Sequence, residues 1–409
     1  MNAFRRFLTL ALVGSLAACG GSHSALPSAS MAAAGRPGIV TMDNPSALPG
    51  DNPSALPGDN PSALPGDNPS ALPGAQLGCD LTFAADRANC TIAINLNVPA
   101  LADATAPASF IAGLHPADIL SAYRLSGASG TGTVAIVDAY DDPAAEADLA
   151  VYRTAFGLTQ CTSTTGCFTK IGQRGSSSPV PAPNAGWSEE ISLDLDMVSA
   201  VCPNCRILLV ETDSPSFDDL GAGVDTAVAH GARFVSNSYY GPEWSGETAY
   251  DAHYHHAGVA ITVSSGDQRS PFYPAASPYV TAVGGTSLSR SAGAWTESAW
   301  AYDGAGCSKY ESKPSWQNAT GCKTRAAVDV AAVADPQTGV SMYDSAAGGW
   351  YVVGGTSVGA PVLAAAYALS GTPQGPAYSY AHRSPFNDIA PAGYDLPTGL
   401  GSPDGVAGL

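Results

Sequence analysis

Positive charge is scarce in this chain: 17 Lys and Arg stand against 35 Asp and Glu among 409 residues, a formal charge of −18. A surface with that balance does not gather phosphate backbones or anionic lipid headgroups, which excludes nucleic acid as a partner. Histidine is also scarce, with seven in all, so imidazole-based chemistry has few candidates. The apolar run at residues 7–16 is too short to cross a bilayer. What the chain does have is glycine and proline, 45 and 32, together with an apolar content of 45% that can fill one large core.

The run at residues 7–16 follows Arg5 and Arg6 and is succeeded by small residues, the pattern of an export signal over residues 1–18. The signal ends in Leu16-Ala17-Ala18-Cys19, which resembles a bacterial lipoprotein box; on that reading Cys19 is lipidated and becomes the first residue of the mature chain. Residues 43–74 then repeat Asp-Asn-Pro-Ser-Ala-Leu-Pro-Gly four times without interruption. Two prolines per repeat and little to bury describe an extended, disordered spacer, so residues 19–74 read as a lipidated tether. Membrane contact is expected only through that lipid. The protein is expected in the bacterial envelope or outside the cell, as a monomer.

The other eight cysteines fall into neighbouring pairs: Cys79 with Cys90, Cys161 with Cys167, Cys202 with Cys205, and Cys307 with Cys322. An even count after export fits disulfides in an oxidising compartment. Zinc is the competing reading for Cys202-Pro-Asn-Cys205, but neither a second such motif nor a nearby histidine completes four ligands. Residues 75–125 form a short cysteine-clipped segment, with a helix expected at residues 114–125 behind Pro116.

From residue 126 to the end, strands and helices alternate. Strands are expected at 133–138, 206–211, 234–238 and 259–266, and helices at 144–156, 189–200, 217–230 and 250–256. Continuous apolar strands separated by helices predict an α/β fold: a doubly wound, mostly parallel sheet with helices on both faces. Chemistry in such sheets sits at the carboxyl ends of the strands.

Gly-Gly-Thr-Ser occurs twice, ending at Ser287 and at Ser357. A polar stretch, expected to be a loop, follows Ser287. An apolar, small-residue helix follows Ser357, where backbone N–H groups and the helix dipole favour a developing anion. That seat suits a nucleophile, and equally a helix cap. A serine needs a base, and none of the histidines stands in a His-Gly-Thr-His setting. His253, His255 and His256 do not share a helix face. Carboxylates fill the gap. Glu190 and Asp194 lie four apart on an apolar helix, about 6 Å from each other, so that both cannot ionise cheaply. Glu190 could accept the Ser357 proton while Asp194 orients it. Glu189 and Asp196 are expected on the solvated side. Asp267, in Ser-Ser-Gly-Asp at a strand end, could donate a hydrogen bond to an oxyanion if kept neutral.

Four segments together resemble the sedolisin family: Glu190-Ile-Ser-Leu-Asp194, Ser264-Ser-Gly-Asp267, Gly355-Thr-Ser357 with Pro361, and Asn387-Asp-Ile389 ahead of Gly393-Tyr-Asp395. Their order and spacing agree from about residue 114 to the end. The resemblance implies a subtilisin-like fold, acid-favouring endopeptidase activity on protein or peptide substrates, Ser357, Glu190 and Asp194 as the triad, and Asp267 as the oxyanion acid. It also implies one calcium ion held by the side chains of Asp388 and Asp395 and the carbonyls of Ile389 and Gly393. Two departures stand out: residues 75–125 are too short for the family's folded prodomain, and the calcium loop is short, with Pro391 where glycine is expected. Gly355-Thr-Ser-Val-Gly359 also fits the nucleophile elbow of an esterase, but no acid and then histidine follow in order. The other competing reading is a catalytically degenerate protease fold that acts as an envelope binding module.

Overall fold

The structure, a computed structural model, describes residues 72–79, 84–90, 92–318, 321–389 and 391–409. The export signal, Cys19 and the repeats lie outside these residues, except for Leu72-Pro-Gly74 at the end of the fourth repeat. The described residues belong to one compact unit.

In chain order the strands begin with β1 (Ala75–Leu77) and β2 (Ala93–Asn95). Helix α1 (Pro116–Ala122) follows, with Pro116 in its first turn as expected. The alternating part starts with β3 (Thr133–Ala139), α2 (Ala145–Ala155), β4 (Phe168–Gly172), α3 (Ala185–Val201), β5 (Arg206–Thr212) and α4 (Phe217–Ala229). Next come β6 (Phe234–Asn237), β7 (Gly241–Pro242), β8 (Ala260–Ser264), β9 (Phe272–Tyr273), β10 (Thr281–Ser291) and β11 (Ala294–Ala299). Then come β12 (Cys307–Ser312), β13 (Thr324–Ala326), β14 (Val330–Val333), β15 (Val340–Asp344), β16 (Gly349–Gly354) and α5 (Gly359–Ser370), and the chain ends through α6 (Pro376–Ala381) and the paired β17 (Phe386–Asn387) and β18 (Ser402–Pro403).

The main sheet runs β11-β10-β8-β6-β3-β5-β4, with β14 also paired to β10. Its pairs are parallel apart from the β10–β11 hairpin. Alternation along β3 sends Val134 and Ile136 to the core under α3 and α5, and Ala135 and Val137 to the core under α4. Burial on both faces is why these strands read as unbroken apolar runs. The expected α/β fold is therefore the observed one.

Three expectations fail. The stretch after Ser287 is the second half of β10, not a loop; only Leu288 is buried there, and Ser289, Arg290 and Ser291 are exposed where β10 pairs with the edge strand β11. Residues 250–256 form short 3-10 turns at Glu247–Ala249 and Asp251–Tyr254 rather than an α-helix. Glu189 and Asp196 are buried, because α3 is covered on every side by α1, α2, α5 and β15. Asp196 accepts a hydrogen bond from the Tyr343 amide at 3.0 Å.

All four cysteine pairs form as expected, with Cα separations from 4.9 to 5.7 Å. They place the folded part in an oxidising compartment.

Candidate active site

Ser357 sits in a 3-10 turn, Thr356–Val358, that joins β16 to α5. Gly355 makes this turn possible, because its φ of +105° is one that residues with a Cβ rarely adopt. The helix that follows is buried from Gly359 to Leu369, so the turn is fixed by the core rather than by its own sequence.

The side chains needed around such a serine arrive from the carboxyl ends of neighbouring strands and from α3. Ser238, just past β6, offers its carbonyl to the Ser357 hydroxyl at 3.5 Å and its own hydroxyl to both oxygens of Asp194, at 2.7 and 2.8 Å. Asp194 is fully buried on α3. Burial, with the charges of Asp138 and Glu190 beside it, holds its carboxyl well above the ordinary range, against the hydrogen bonds from Ser238 that lower it. Glu190, also fully buried, stands one turn earlier on the same helix. Asp138, at the end of β3, is pushed by burial up to about 8, and neither of its oxygens has a hydrogen-bond partner among the described residues. A buried carboxyl in that position is at ease only as the neutral acid.

On the other side of the serine, the Thr356 amide and hydroxyl donate to Asp267 Oδ1, at 2.9 and 2.7 Å, and the Gly266 amide donates to the Thr356 hydroxyl at 3.0 Å. The Ser-Ser-Gly-Asp turn is thereby locked to the turn bearing Ser357. Behind it, Ser265 donates to Asp303 at 2.5 Å.

Ser357, Glu190, Asp194 and Asp267 thus converge on one place, at the carboxyl ends of β3, β6 and β8. Sequence reasoning missed Ser238, Ser236, Thr356 and Asp303. For Ser238 a signal existed, since it directly follows an apolar parallel strand. Asp138 stands beside the Asp194 carboxyl. Ser287, in the other Gly-Gly-Thr-Ser copy, donates to Asp335. The described histidines lie elsewhere. His253 and His256 both bond Asp225, while His115 and His382 bond backbone carbonyls.

Asp388 accepts from the Gly393 amide, and Asp395 from the Thr398 amide and hydroxyl. Burial raises the Asp395 carboxyl, and the charge of Asp388 raises it further. Asp388 and Asp395 lie on one short loop, each accepting from donors of that loop.

Residues 174–380 match the subtilase family, Peptidase_S8. The chain is 30% identical over 354 residues to kumamolisin of Bacillus sp. (strain MN-32), covering 71% of this chain and 62% of the relative. It is 33% identical over 200 residues to sedolisin of Pseudomonas sp. (strain 101), covering 36% and 34%. It therefore spans less than two thirds of the length of these curated relatives. Among solved structures it resembles Pseudomonas sedolisin, a serine-carboxyl proteinase complexed with two molecules of pseudo-iodotyrostatin, with a TM-score of 0.63 and 26% identity over 72% of this chain and 96% of that one.

Proposed function

The chain belongs to the subtilase family, in its sedolisin branch, and we propose that it is an exported serine-carboxyl endopeptidase with Ser357 as nucleophile. The observation that carries this reading is the pairing of Ser357 with a buried carboxyl cluster through Ser238, with no histidine nearby among the described residues.

In the proposed reaction Glu190 takes the Ser357 proton as the oxygen attacks the scissile carbonyl, and Asp194, neutral and donating, holds Glu190 in place. Three buried carboxyls at Asp138, Glu190 and Asp194 cannot all carry charge, so the cluster retains protons that it can lend. Asp267, when neutral, donates to the tetrahedral oxyanion together with backbone amides at the head of α5. Both roles favour acid pH. Calcium, where bound, would be held by the side chains of Asp388 and Asp395 and the carbonyls of Ile389 and Gly393. It would supply loop rigidity rather than chemistry.

Export and lipidation at Cys19 follow from the signal pattern, and the repeats would hold the enzyme away from the membrane. The deciding experiment compares wild type with Ser357→Ala on a denatured protein from about pH 3 to 7, the range of perturbed carboxylates. Serine-dependent cleavage strongest at low pH is expected. No cleavage by correctly folded protein would leave the binding-module reading.

A further inference from the structure

Arg269 stands two residues past Asp267 with a φ of +56°, in the left-handed region that a residue with a Cβ enters only at a cost. Glycine would sit there freely. The arginine is instead fastened in place. Its amide donates to the Tyr302 carbonyl at 3.3 Å, its Nε donates to the Ala301 carbonyl at 2.8 Å, and its guanidinium carbon lies 4.2 Å from the centre of the Tyr302 ring. The side chain thus rests on an aromatic ring while the residue stays exposed.

This ledge is tied to the Ser-Ser-Gly-Asp turn. Ser265 donates to Asp303 at 2.5 Å, and a Cβ on Gly304 would come within 2.1 Å of the Ser265 carbonyl oxygen. Residues 303–304 therefore lie directly against the turn that ends in Asp267, and Asp267 is itself held to Thr356, the neighbour of Ser357. Two residues of chain span at most about 7 Å, and the long arginine side chain extends that reach. The guanidinium is within range of the residues that flank a scissile bond whose carbonyl faces Ser357 and Asp267.

Arg124, Arg174 and Arg325 each pair with an aspartate. Arg269 forms no ion pair among the described residues: its contacts are two backbone carbonyls and a ring, which leave the two terminal nitrogens of the fork to donate elsewhere. In a chain with 17 basic residues against 35 acidic ones, a cation held at a strained position beside the oxyanion acid has a use if negative charge arrives with the substrate. A planar fork with two terminal nitrogens matches a carboxylate. We propose that Arg269 is a specificity-determining residue that binds a carboxylate of the substrate beside the scissile bond. The peptides cut fastest then carry Asp or Glu, or a free C-terminus, within about two residues of the cut, the reach of the ledge. The inference names a substrate class for the peptidase reading above and rests on it.

Recognition of this kind carries its own pH signature. Arg269 stays charged throughout, whereas a Glu side chain of the substrate titrates at about pH 4.3 and a free C-terminus at about pH 3.5. The titratable neighbours of the ledge are Asp267 on the segment of Arg269 and Tyr302 and Asp303 on the facing one. Their titration acts on Glu and Gln peptides alike and cancels in the ratio of the two rates. An arginine that only clamped its loop to residues 301–302 would slow every peptide by the same factor and leave that ratio alone.

The test uses the full chain and quenched fluorogenic peptides built on one uncharged parent sequence, with kcat/KM read at about pH 5 and about pH 3. Glu replaces Gln at one position at a time on either side of the cut, which mass spectrometry locates, and a peptide ending just past the cut is compared as free acid and as amide. At about pH 5 one Glu position, or the free acid, should raise kcat/KM about tenfold or more, the usual worth of hydrogen bonds to a charged group. The responding arm identifies the source of the carboxylate. At about pH 3 the gain should shrink to about twofold or less, because the substrate carboxyl is then neutral. Arg269→Gly, which suits the backbone angle, should bring the ratio at about pH 5 to about one, and Arg269→Glu should favour Lys over Gln at the same position. Ratios near one throughout the wild-type series, or a Glu preference that survives in Arg269→Gly while all rates fall together, overturn the inference and leave the peptidase reading intact. If the folded wild type cuts neither these peptides nor denatured protein, the peptidase reading fails and the inference fails with it.

Discussion

Ser238 gives its hydroxyl to both oxygens of Asp194 while its carbonyl receives the hydroxyl of Ser357, so one residue that is neither nucleophile nor base touches both ends of the site. Ser238→Ala should therefore lower kcat about tenfold or more by loosening Asp194, and cost about 1–3 kcal/mol for the weakened buried carboxyl. Ser238→Thr, which keeps the hydroxyl, should restore most of both. Kinetics and urea unfolding of the two variants check this, and an Ala variant with wild-type kcat would remove Ser238 from the mechanism.

Asp267 takes both donors of Thr356 on Oδ1, and it can donate to a substrate oxyanion only when it carries a proton. Asp267→Ala should lower kcat by about 10²–10³-fold, the usual cost of an oxyanion donor. Asp267→Asn keeps the acceptor for Thr356 and donates at any pH. Its kcat/KM profile should extend to higher pH than that of wild type. An Asn variant as slow as the Ala variant across the whole profile would argue against the donor role.

Stability should fall as pH rises. Burial pushes Asp138 and Glu211 up to about 8 and, with the neighbouring charge of Glu243, Glu247 up to about 9, from unfolded values near 4. Between about pH 4 and 8 the folded chain therefore holds protons that the unfolded chain releases. The stability these carboxyls allow is complete below about pH 4 and is lost on the way up, at about 1.4 kcal/mol per pH unit for each proton. Urea midpoints at about pH 4, 6 and 8 should descend in that order, and a rising series would show that these carboxyls are ionised in the fold.

Calcium removal gives a separable readout. Chelation should lower the melting temperature by several degrees, and Asp395→Asn should abolish that difference. Equal melting temperatures with and without chelator would show that the loop from Asp388 to Asp395 holds no ion.

Much of this was legible in the sequence because it rests on local rules. Apolar runs such as Thr133–Ala139 have one use, a strand buried on both faces, and the helix after Ser357 is too apolar to lie anywhere but in a core. Cysteine pairs close in sequence found each other because short loops cost little entropy to close. The carboxyls at Glu190 and Asp194 could be paired by counting helical turns.

What the sequence could not decide depends on contacts between distant segments. Ser238 and Asp194 meet across 44 residues, and Asp267 and Thr356 across 89. Glu189 and Asp196 were expected in solvent because one helix viewed alone shows a polar side; packing by α1, α2, α5 and β15 removes it. The pairing of Ala88 with Pro215, Asn89 with Tyr240 and Ala93 with Gly354 has no local signature, since backbone partners come from whichever edges the tertiary fold leaves open.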